Sequence, residues 1–325
     1  MRIAVAIHDL PVWTIPPADV ARLARALPGD EVIDAREPAE RRAAFAVADV
    51  LFATKISAEE FAIAPHVRWM HSSAVGVGGL LPPSVVASPV IVTNSRGVHS
   101  DAIAEHAVAL VLALRRHLHT AAARQAAREW AQAELSRPVT PPLAGTEMLV
   151  VGLGSIGSRV ARLAAGLGMR VTGVRRRVEE PVPPGVGRVL GPDRPIDALR
   201  EADVVVLAVP RTDETRALLG RAEFAAMKRS ALLVNVARGR LIDDDALVEA
   251  LETEDIAGAG LDAFQQEPLP PEHPLWRAPN TLLTPHTASF SGEYWAPVVD
   301  LFLENLARFK RGEPLLNVVD KKRGY

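Results

Sequence analysis

The sequence predicts an α/β protein with two domains, each built on a doubly wound parallel sheet. Short apolar runs alternate with helical patterns along most of its 325 residues, which is the order of elements that such sheets require. The alternation stops at a polar, alanine-rich segment and begins again at Met148. The length suffices for two ordinary domains, so we expect two sheets.

The first hundred residues predict the strands of the first sheet. Each run is short and rich in apolar residues, as in a strand that is buried on both faces. The predicted strands are Arg2–Ile7, Glu31–Asp34, Val50–Ala53, Arg68–His71 and Val90–Thr93. A helix is predicted over Pro17–Ala26, because proline is favoured near a helix start.

The clearest helix is predicted over Asp101–Thr120, where apolar residues recur at three- and four-residue steps and form one stripe. The next segment, Ala121–Pro142, is polar and ends in Pro138, Pro141 and Pro142. Two interpretations of it stay open: an arm that embraces a second subunit, or a surface loop.

A second series of strands and helices follows. Its predicted strands are Met148–Leu153, Arg170–Val174, Val204–Val209, Leu232–Val236, Ala257–Leu261 and Thr281–Thr284. Helices are predicted over Ile156–Leu167, over Ala246–Leu251 and from about Ser289 past Leu306. We expect the last helix to return to the first domain, which gives one domain of residues 1–98 and 289–325 and a second domain of residues 99–288.

Composition excludes several classes of function. The net charge is −2, so no excess of positive charge is present to bind nucleic acid. Cysteine is absent, which excludes disulfides and thiolate metal sites and fits a cytoplasmic protein. We expect no membrane segment and no leader peptide. We also expect no metal site, since His117 and His119 lie on different faces of a helix without a carboxylate.

Three glycines occur in the turn after the strand that begins at Met148. Gly152, Gly154 and Gly157 form the pattern G-x-G-x-x-G between a predicted strand and a predicted helix. The first permits a tight turn, the second lets a pyrophosphate approach the backbone, and the third lets helix and strand pack closely. We interpret the turn as a dinucleotide site; the alternative is a glycine-rich turn without a ligand.

Arginines stand where such sites usually carry an acidic residue for the ribose 2′-hydroxyl of NAD. The strand ends at Val174 and is followed by Arg175, Arg176 and Arg177. A guanidinium binds the 2′-phosphate of NADP, which a carboxylate would repel. The sequence therefore predicts a preference for NADP, unless the arginines only solvate a loop.

Three later segments combine an arginine, a glutamate and a histidine. Arg238, Glu267 and His286 each follow a predicted strand, and strand ends meet at one edge of a parallel sheet. A histidine transfers protons near neutral pH, and a neighbouring carboxylate stabilises its charged form. An arginine binds a substrate carboxylate and polarises a carbonyl group. This set suits the reduction of a 2-keto acid.

These segments resemble the D-isomer-specific 2-hydroxyacid dehydrogenase family, which includes glyoxylate/hydroxypyruvate reductases. The resemblance covers nearly the whole chain, from the split first domain through the glycine pattern to the final proline-histidine pair. It implies a Rossmann cofactor domain inserted into a flavodoxin-like substrate-binding domain. We expect a homodimer that forms through the Asp101–Thr120 helix and the arm after it. The resemblance also implies that Arg238 orients the substrate, that Glu267 tunes the histidine, and that His286 is the acid/base.

Further contacts follow from the same resemblance. The cofactor is expected to contact the glycines, both first arginines and several neighbouring residues, namely Ser155, Ile156, Val209, Pro210, Thr215, Val236, Ala237 and Asp262, of which Asp262 would face the nicotinamide. The substrate is expected to contact Val75, Gly76 and Asn94 as well as Arg238 and His286. Gly78 and Gly79 depart from the family pattern and put the geometry of that loop in doubt. Tyr294 and Trp295 are expected either to line the substrate pocket or to pack.

The sequence leaves the substrate side chain open and allows two other functions. One is a regulatory protein that senses a dinucleotide without turnover, although such a sensor has no use for Arg238, Glu267 and His286. The other is a phosphite-type dehydrogenase on the same fold. The prediction is a 2-keto acid reductase that prefers NADPH, with NAD as a possible cofactor.

Overall fold

The computed structural model describes residues 1–7, 13–136, 140–193 and 195–325. Pro138, which the sequence places at the end of the proposed arm, lies outside the described residues. The chain forms two compact units: unit 1 contains Met1–Val98 and Ser291–Tyr325, and unit 2 contains His99–Phe290. Among the described residues, no helix has both the length and the apolar character needed to cross a bilayer.

The regular elements alternate in both units. The strands of the described residues are β1 (Arg2–Ala6), β2 (Glu31–Asp34), β3 (Val50–Ala53), β4 (Trp69–Ser72), β5 (Ile91–Asn94), β6 (Glu147–Val151), β7 (Arg170–Val174), β8 (Arg188–Leu190), β9 (Val204–Leu207), β10 (Leu232–Asn235), β11 (Gly258–Leu261) and β12 (Thr281–Leu283). The helices are α1 (Pro17–Ala26), α2 (Pro38–Val47), α3 (Ala58–Ala62), α4 (Pro83–Val86), α5 (Ser100–Arg115), α6 (Leu118–Ala126), α7 (Gln132–Leu135), α8 (Ser155–Gly166), α9 (Pro195–Glu201), α10 (Arg221–Ala226), α11 (Asp244–Glu252) and α12 (Trp295–Arg311).

Unit 1 contains a five-stranded sheet in the order β2-β1-β3-β4-β5, with every pair parallel. Successive residues of a strand face opposite sides, so β1 contributes to two cores. Ile3 and Val5 pack with α1 and α12, whereas Ala4 and Ala6 pack with Phe45 of α2. The strand order is that of flavodoxin-like sheets, as predicted.

Unit 2 contains a seven-stranded parallel sheet in the order β12-β11-β10-β9-β6-β7-β8. The chain starts at β6 in the interior, winds outward through β7 and β8, and then crosses back to β9. The order therefore reverses between β6 and β9, which is where doubly wound sheets bind their ligands, outside the carboxyl ends of the strands. The predicted fold class, two doubly wound parallel-sheet domains, is confirmed.

Several predicted bounds are wrong. The helix predicted over Asp101–Thr120 ends at Arg115, and α6 begins at Leu118, because His117 adopts a left-handed conformation with φ 51°. The last helix begins at Trp295 rather than near Ser289. Strand β8 was not predicted.

Candidate active site

The three predicted catalytic residues lie beyond neighbouring strands of unit 2. Strands β10, β11 and β12 are adjacent in the sheet. Arg238 follows β10, Glu267 follows β11, and His286 follows β12. Because the strands are parallel, all three segments leave the same edge of the sheet.

His286 and Glu267 form a close pair. His286 Nδ1 lies 2.7 Å from Glu267 Oε2, and both side chains are about one-third exposed. The second carboxylate oxygen, Oε1, accepts a hydrogen bond from the backbone N–H of Phe264 at 2.9 Å. Both oxygens of Glu267 are thus held, and the carboxylate fixes the orientation of the imidazole.

The pKa of Glu267 lies below its ordinary value. Burial alone would raise this pKa, but the hydrogen bonds from His286 and Phe264 and the positive charges of His286 and Arg238 outweigh it. Glu267 is therefore a carboxylate at neutral pH, and since a carboxylate can only accept, His286 Nδ1 donates the hydrogen bond between them.

Arg238 projects from a turn that a buried amide shapes. The side chain of Asn235, at the end of β10, donates to the Arg238 carbonyl at 2.9 Å and accepts from the Ala237 N–H at 3.0 Å. At the next position, a Cβ on Gly239 would lie 1.9 Å from the carbonyl carbon of Phe264. Only glycine permits this approach, which brings the Arg238 turn against the segment that leads to Glu267.

The guanidinium of Arg238 is largely desolvated. Burial lowers its pKa; the charge of Glu267 acts against this shift and Arg211 adds to it. Arginine remains protonated at any physiological pH. A desolvated positive charge is therefore available for an anionic group such as a carboxylate.

Asp262 lies at the end of β11 with only 2% of its surface exposed. Its oxygens accept hydrogen bonds from the hydroxyl of Thr284 at 2.7 Å and from the N–H groups of Thr287 at 2.8 Å and Ala288 at 3.0 Å. The carboxylate thus anchors the segment that carries His286. Its expected contact with the nicotinamide stays a prediction.

The glycine turn lies at the carboxyl end of β6, one side of the reversal in strand order. Gly152 has φ 102°, and a Cβ on Gly157 would lie 1.7 Å from the Gly152 carbonyl oxygen. Gly154 precedes α8, and a Cβ there would meet open space. A pyrophosphate can therefore approach the N-terminal N–H groups of α8, so these residues fit a dinucleotide.

The arginines after β7 differ in their surroundings. Arg175 is 10% exposed and donates to the backbone carbonyls of Glu180 and Pro181. Arg176 is 40% exposed and pairs with Glu214. The guanidinium of Arg175 thus holds the loop after β7 through its backbone carbonyls. The guanidinium of Arg176 extends toward solvent.

The remaining predicted cofactor residues cluster near the same edge. Ser155 and Ile156 form the first turn of α8. Val209, Pro210 and Thr215 follow β9, and Val236 and Ala237 follow β10. The Thr215 hydroxyl donates to the Pro210 carbonyl at 2.8 Å and accepts from the Thr212 N–H at 2.8 Å, so it shapes this loop.

The predicted substrate residues of unit 1 form one hydrogen-bonded group. The Asn94 side chain donates to the Val75 carbonyl at 2.8 Å, and the carbonyl of Gly76 accepts from the Ser72 hydroxyl. His71 of β4 is fully buried, with Nδ1 at 2.7 Å from the Thr93 hydroxyl and Nε2 at 3.3 Å from the Ser95 hydroxyl, which donates to the Ser72 carbonyl. Burial lowers the pKa of His71 to about 3. A neutral, buried histidine therefore supports this loop.

The sequence left the effect of Gly79 and the role of Tyr294 and Trp295 open, and the packing of unit 1 answers both questions. A Cβ on Gly79 would lie 2.6 Å from the Thr54 carbonyl oxygen, so the departure from the family pattern permits a close backbone approach. Trp295 is 9% exposed, and Tyr294 packs beside it against the core of unit 1. Packing is therefore the role that these two aromatic side chains have within unit 1.

Residues 108–288 match the sequence profile of the D-isomer specific 2-hydroxyacid dehydrogenase NAD-binding domain. The chain belongs to this family. It is 37% identical over 278 residues to a glyoxylate reductase of Korarchaeum cryptofilum, with 84% of this chain and 82% of the relative covered. It is therefore an NAD(P)-dependent 2-hydroxyacid dehydrogenase.

Two solved structures of the family resemble this one over nearly their full lengths. The D-isomer specific 2-hydroxyacid dehydrogenase of Xanthobacter autotrophicus, solved with NADPH, is 30% identical with a TM-score of 0.83 and 99% of each chain covered. The NADPH-dependent glyoxylate/hydroxypyruvate reductase of Sinorhizobium meliloti, solved with NADP and sulfate, is 26% identical with a TM-score of 0.84 and the same coverage.

Sequence reasoning missed several polar residues that hold the dehydrogenase site in place. Asn235 stands inside the segment that contains Arg238, yet it received no role. The buried His71 and the partly buried Thr284 and His106 were also passed over. For Asn235, His71 and Thr284 the available signal was a polar residue inside or directly after an apolar strand, because such a residue needs a hydrogen-bonding partner when it is buried.

Proposed function

We propose that the protein reduces a small 2-keto acid of the glyoxylate or hydroxypyruvate type to its D-2-hydroxy acid and prefers NADPH to NADH. The 2.7 Å pair of His286 and Glu267 carries this proposal. An imidazole paired with a carboxylate, beside the desolvated charge of Arg238, suits the protonation of a carbonyl oxygen whose neighbour is a carboxylate.

Each residue has one task in the reaction. A nicotinamide, when bound, supplies a hydride for the carbonyl carbon. Arg238 binds the substrate carboxylate and polarises the carbonyl group. His286 contacts Glu267 through Nδ1, so Nε2 donates the proton to the carbonyl oxygen. Glu267 stabilises the imidazolium before the transfer and keeps the remaining proton on Nδ1 afterwards.

The cofactor preference rests on the end of β7. Arg176 follows the strand by two residues and is exposed enough to bind a 2′-phosphate, and the residue directly after Val174 is an arginine rather than a carboxylate. An acidic residue at this place would bind the 2′-hydroxyl of NAD. Relatives of this chain have been solved with NADP or NADPH.

The substrate class rests on relatives named glyoxylate reductase and glyoxylate/hydroxypyruvate reductase. Val75, Gly76 and Asn94 stay proposed substrate contacts, supported by the resemblance. The hydrogen bond between Asn94 and the Val75 carbonyl would keep the loop in one conformation.

The test is a steady-state assay of the purified protein. NADPH and NADH are supplied in parallel with glyoxylate, hydroxypyruvate, pyruvate and phenylpyruvate, and chiral products are assigned to an enantiomer. We expect turnover with at least one keto acid, higher kcat/KM with NADPH, and the D product. Tight binding of NADPH without any turnover would instead indicate a dinucleotide sensor, and turnover of phosphite alone would indicate a phosphite dehydrogenase.

We further propose that the protein is a homodimer that associates through α5 and the segment after it, which contains α6 and α7. Trp130, between these helices, is 91% exposed, and Leu118 is 54% exposed. Large apolar side chains that are exposed together mark protein interfaces. Sedimentation should show a dimer that Trp130→Ala weakens, with Trp276→Ala as a control, since Trp276 is 53% exposed elsewhere. A wild-type monomer at micromolar concentration would refute the dimer.

A further inference from the structure

A chain of hydrogen bonds leads from helix α5 to the segment that carries His286. His106 Nε2 lies 2.9 Å from the Thr284 hydroxyl, and that hydroxyl lies 2.7 Å from Asp262 Oδ1. His106 Nε2 also lies 3.6 Å from the same Asp262 oxygen. The Asp262 side chain is 3% exposed and that of His106 is 23% exposed, so the chain runs from near the surface into the interior.

The direction of these hydrogen bonds follows from the number of protons. Asp262 accepts from two backbone N–H groups and also from the Thr284 hydroxyl. The Thr284 hydroxyl has one proton, which it donates to Asp262. Its oxygen then accepts, and His106 Nε2 must be the donor. The order is therefore His106 to Thr284 to Asp262.

Asp262 contacts the chain on both sides of His286. Thr284 precedes the histidine by two residues, and the N–H groups of Thr287 and Ala288 follow it. Between these anchors, His286 adopts φ 54°, a left-handed conformation that is uncommon for a residue with a side chain. Such a conformation persists only where its surroundings hold it.

We propose that His106, Thr284 and Asp262 form a relay that positions His286 against Glu267. The proposal rests on the proposed function only because that function assigns proton transfer to His286. His106 and Thr284 are positioning residues: they act through the backbone of the His286 segment. This role for Asp262 needs no contact with the nicotinamide.

Position matters here because the histidine and the glutamate come from different strands. Glu267 is fixed by the Phe264 N–H at 2.9 Å, whereas His286 depends on the anchors around it. If the Thr284 hydroxyl is removed, Asp262 loses one of its anchors, and His286 is free to relax toward an ordinary backbone conformation. The imidazolium then loses the carboxylate that stabilises it, and the imidazole loses its fixed orientation.

The test compares Thr284→Val with Thr284→Ser, which keeps the hydroxyl, and with Thr281→Val as a matched control. Thr281 is the first residue of β12, and its hydroxyl donates to the Ala278 carbonyl at 2.9 Å, away from the relay. His106→Leu and His106→Gln form a second pair, in which glutamine keeps an N–H donor. Thermal melting establishes that each variant folds.

The decisive measurement is the NMR spectrum of the His286 imidazole in the protein without ligands, assigned with His286→Ala. The signal of the proton between His286 Nδ1 and Glu267 Oε2, which lie 2.7 Å apart, reports the contact between the two side chains. We expect Thr284→Val to move this signal upfield or to broaden it through exchange with solvent, because the imidazole moves away from Glu267. Thr284→Ser and Thr281→Val should leave it unchanged.

Activity provides a second measurement. With glyoxylate and NADPH, Thr284→Val should lower kcat about 10- to 100-fold through misplacement of His286, while the Kd for NADPH stays within about twofold. Thr284→Ser should restore most of kcat. A wild-type signal for the His286–Glu267 proton in a folded Thr284→Val variant would overturn the relay, whatever the turnover. A wild-type protein without turnover would refute the proposed function, and the NMR signal would still decide the relay.

Discussion

The two halves of the candidate active site are built in different ways. At the ends of β10, β11 and β12, buried polar side chains such as Asn235 and Asp262, which are 0% and 2% exposed, hold the segments of Arg238 and His286. At the ends of β6 and β7, glycine backbone and exposed arginines dominate, and Arg176 pairs with Glu214 at the surface. The ends of β10, β11 and β12 therefore fix the positions of the predicted catalytic side chains. The ends of β6 and β7 instead expose positive charge to solvent.

The difference predicts how each half responds to change. A reacting group must stay within a fraction of an ångström of its partner, so a small displacement is costly. An exposed ion pair contributes little and is screened by salt. Substitutions beyond β10–β12 should therefore have large effects on turnover, and those beyond β7 should have smaller effects, confined to cofactor choice.

The largest effect is expected from Arg238→Gln, which removes the charge for the substrate carboxylate. We expect kcat/KM for glyoxylate to fall by about 100-fold or more, since a desolvated guanidinium stabilises developing charge strongly. Arg240→Gln is the control, because Arg240 is an exposed arginine of the same segment. Equal losses in the two variants would show that Arg238 has no special place in the site.

Glu267→Gln should lower the turnover number for glyoxylate. The variant loses the carboxylate that fixes the orientation of the His286 imidazole, so we expect kcat to fall by about tenfold near neutral pH. The wild-type carboxylate keeps its charge throughout the assay, because the pKa of Glu267 lies below its ordinary value. The exposed Glu272→Gln should leave kcat unchanged; a wild-type kcat in Glu267→Gln would contradict the pairing.

Arg176→Gln should weaken the binding of NADPH by about five- to tenfold and leave NADH nearly unchanged, as expected for one charge-assisted contact with a phosphate. Fluorescence titration of both cofactors measures this. Arg177→Gln is the matched control, since Arg177 is 74% exposed and pairs with Glu180 at 2.8 Å. If both cofactors lose affinity equally, Arg176 does not bind the 2′-phosphate.

The smallest effect is expected from salt. Raising NaCl from about 0.05 M to about 0.5 M should weaken NADPH by about two- to threefold more than NADH, because exposed charges are screened. The rate of the chemical step at saturating cofactor should not change. If the rate of the chemical step falls with salt as much as the affinity for NADPH does, the two halves of the site do not differ in the way described.

Sequence patterns predicted the fold well where a pattern was strong. The bounds of β2, β3, β7 and α1 agree to the residue, since apolar runs and a starting proline mark them. Strand β8, Arg188–Leu190, gave no signal because it has only three residues and follows a stretch rich in proline and glycine. The break after Arg115 depends on the left-handed conformation of His117, which the periodicity of apolar residues does not show.

The sequence predicted which residues carry the chemistry of the site, but it did not predict the side chains that hold those residues in place. The types of Arg238, Glu267 and His286, together with their places after strands, indicated the reaction. The hydrogen bond between His106 and Thr284 joins residues 178 positions apart, and no local pattern predicts such a pair. Side-chain partners across elements follow from the packed fold, so Asn235 and Asp262 gained their positioning roles only in the structure.

Proton transfer by His286 is the central claim, and a single-turnover experiment tests it most directly. Protein saturated with NADPH is mixed rapidly with glyoxylate, and the loss of reduced nicotinamide is followed in the wild type and in His286→Ala. We expect the variant to lose about 10²- to 10⁴-fold in the rate of reduction, as for removal of a general acid, with the Kd for NADPH within about twofold. A variant that keeps its rate within about tenfold of the wild type would contradict the account, because the proton would then come from another group.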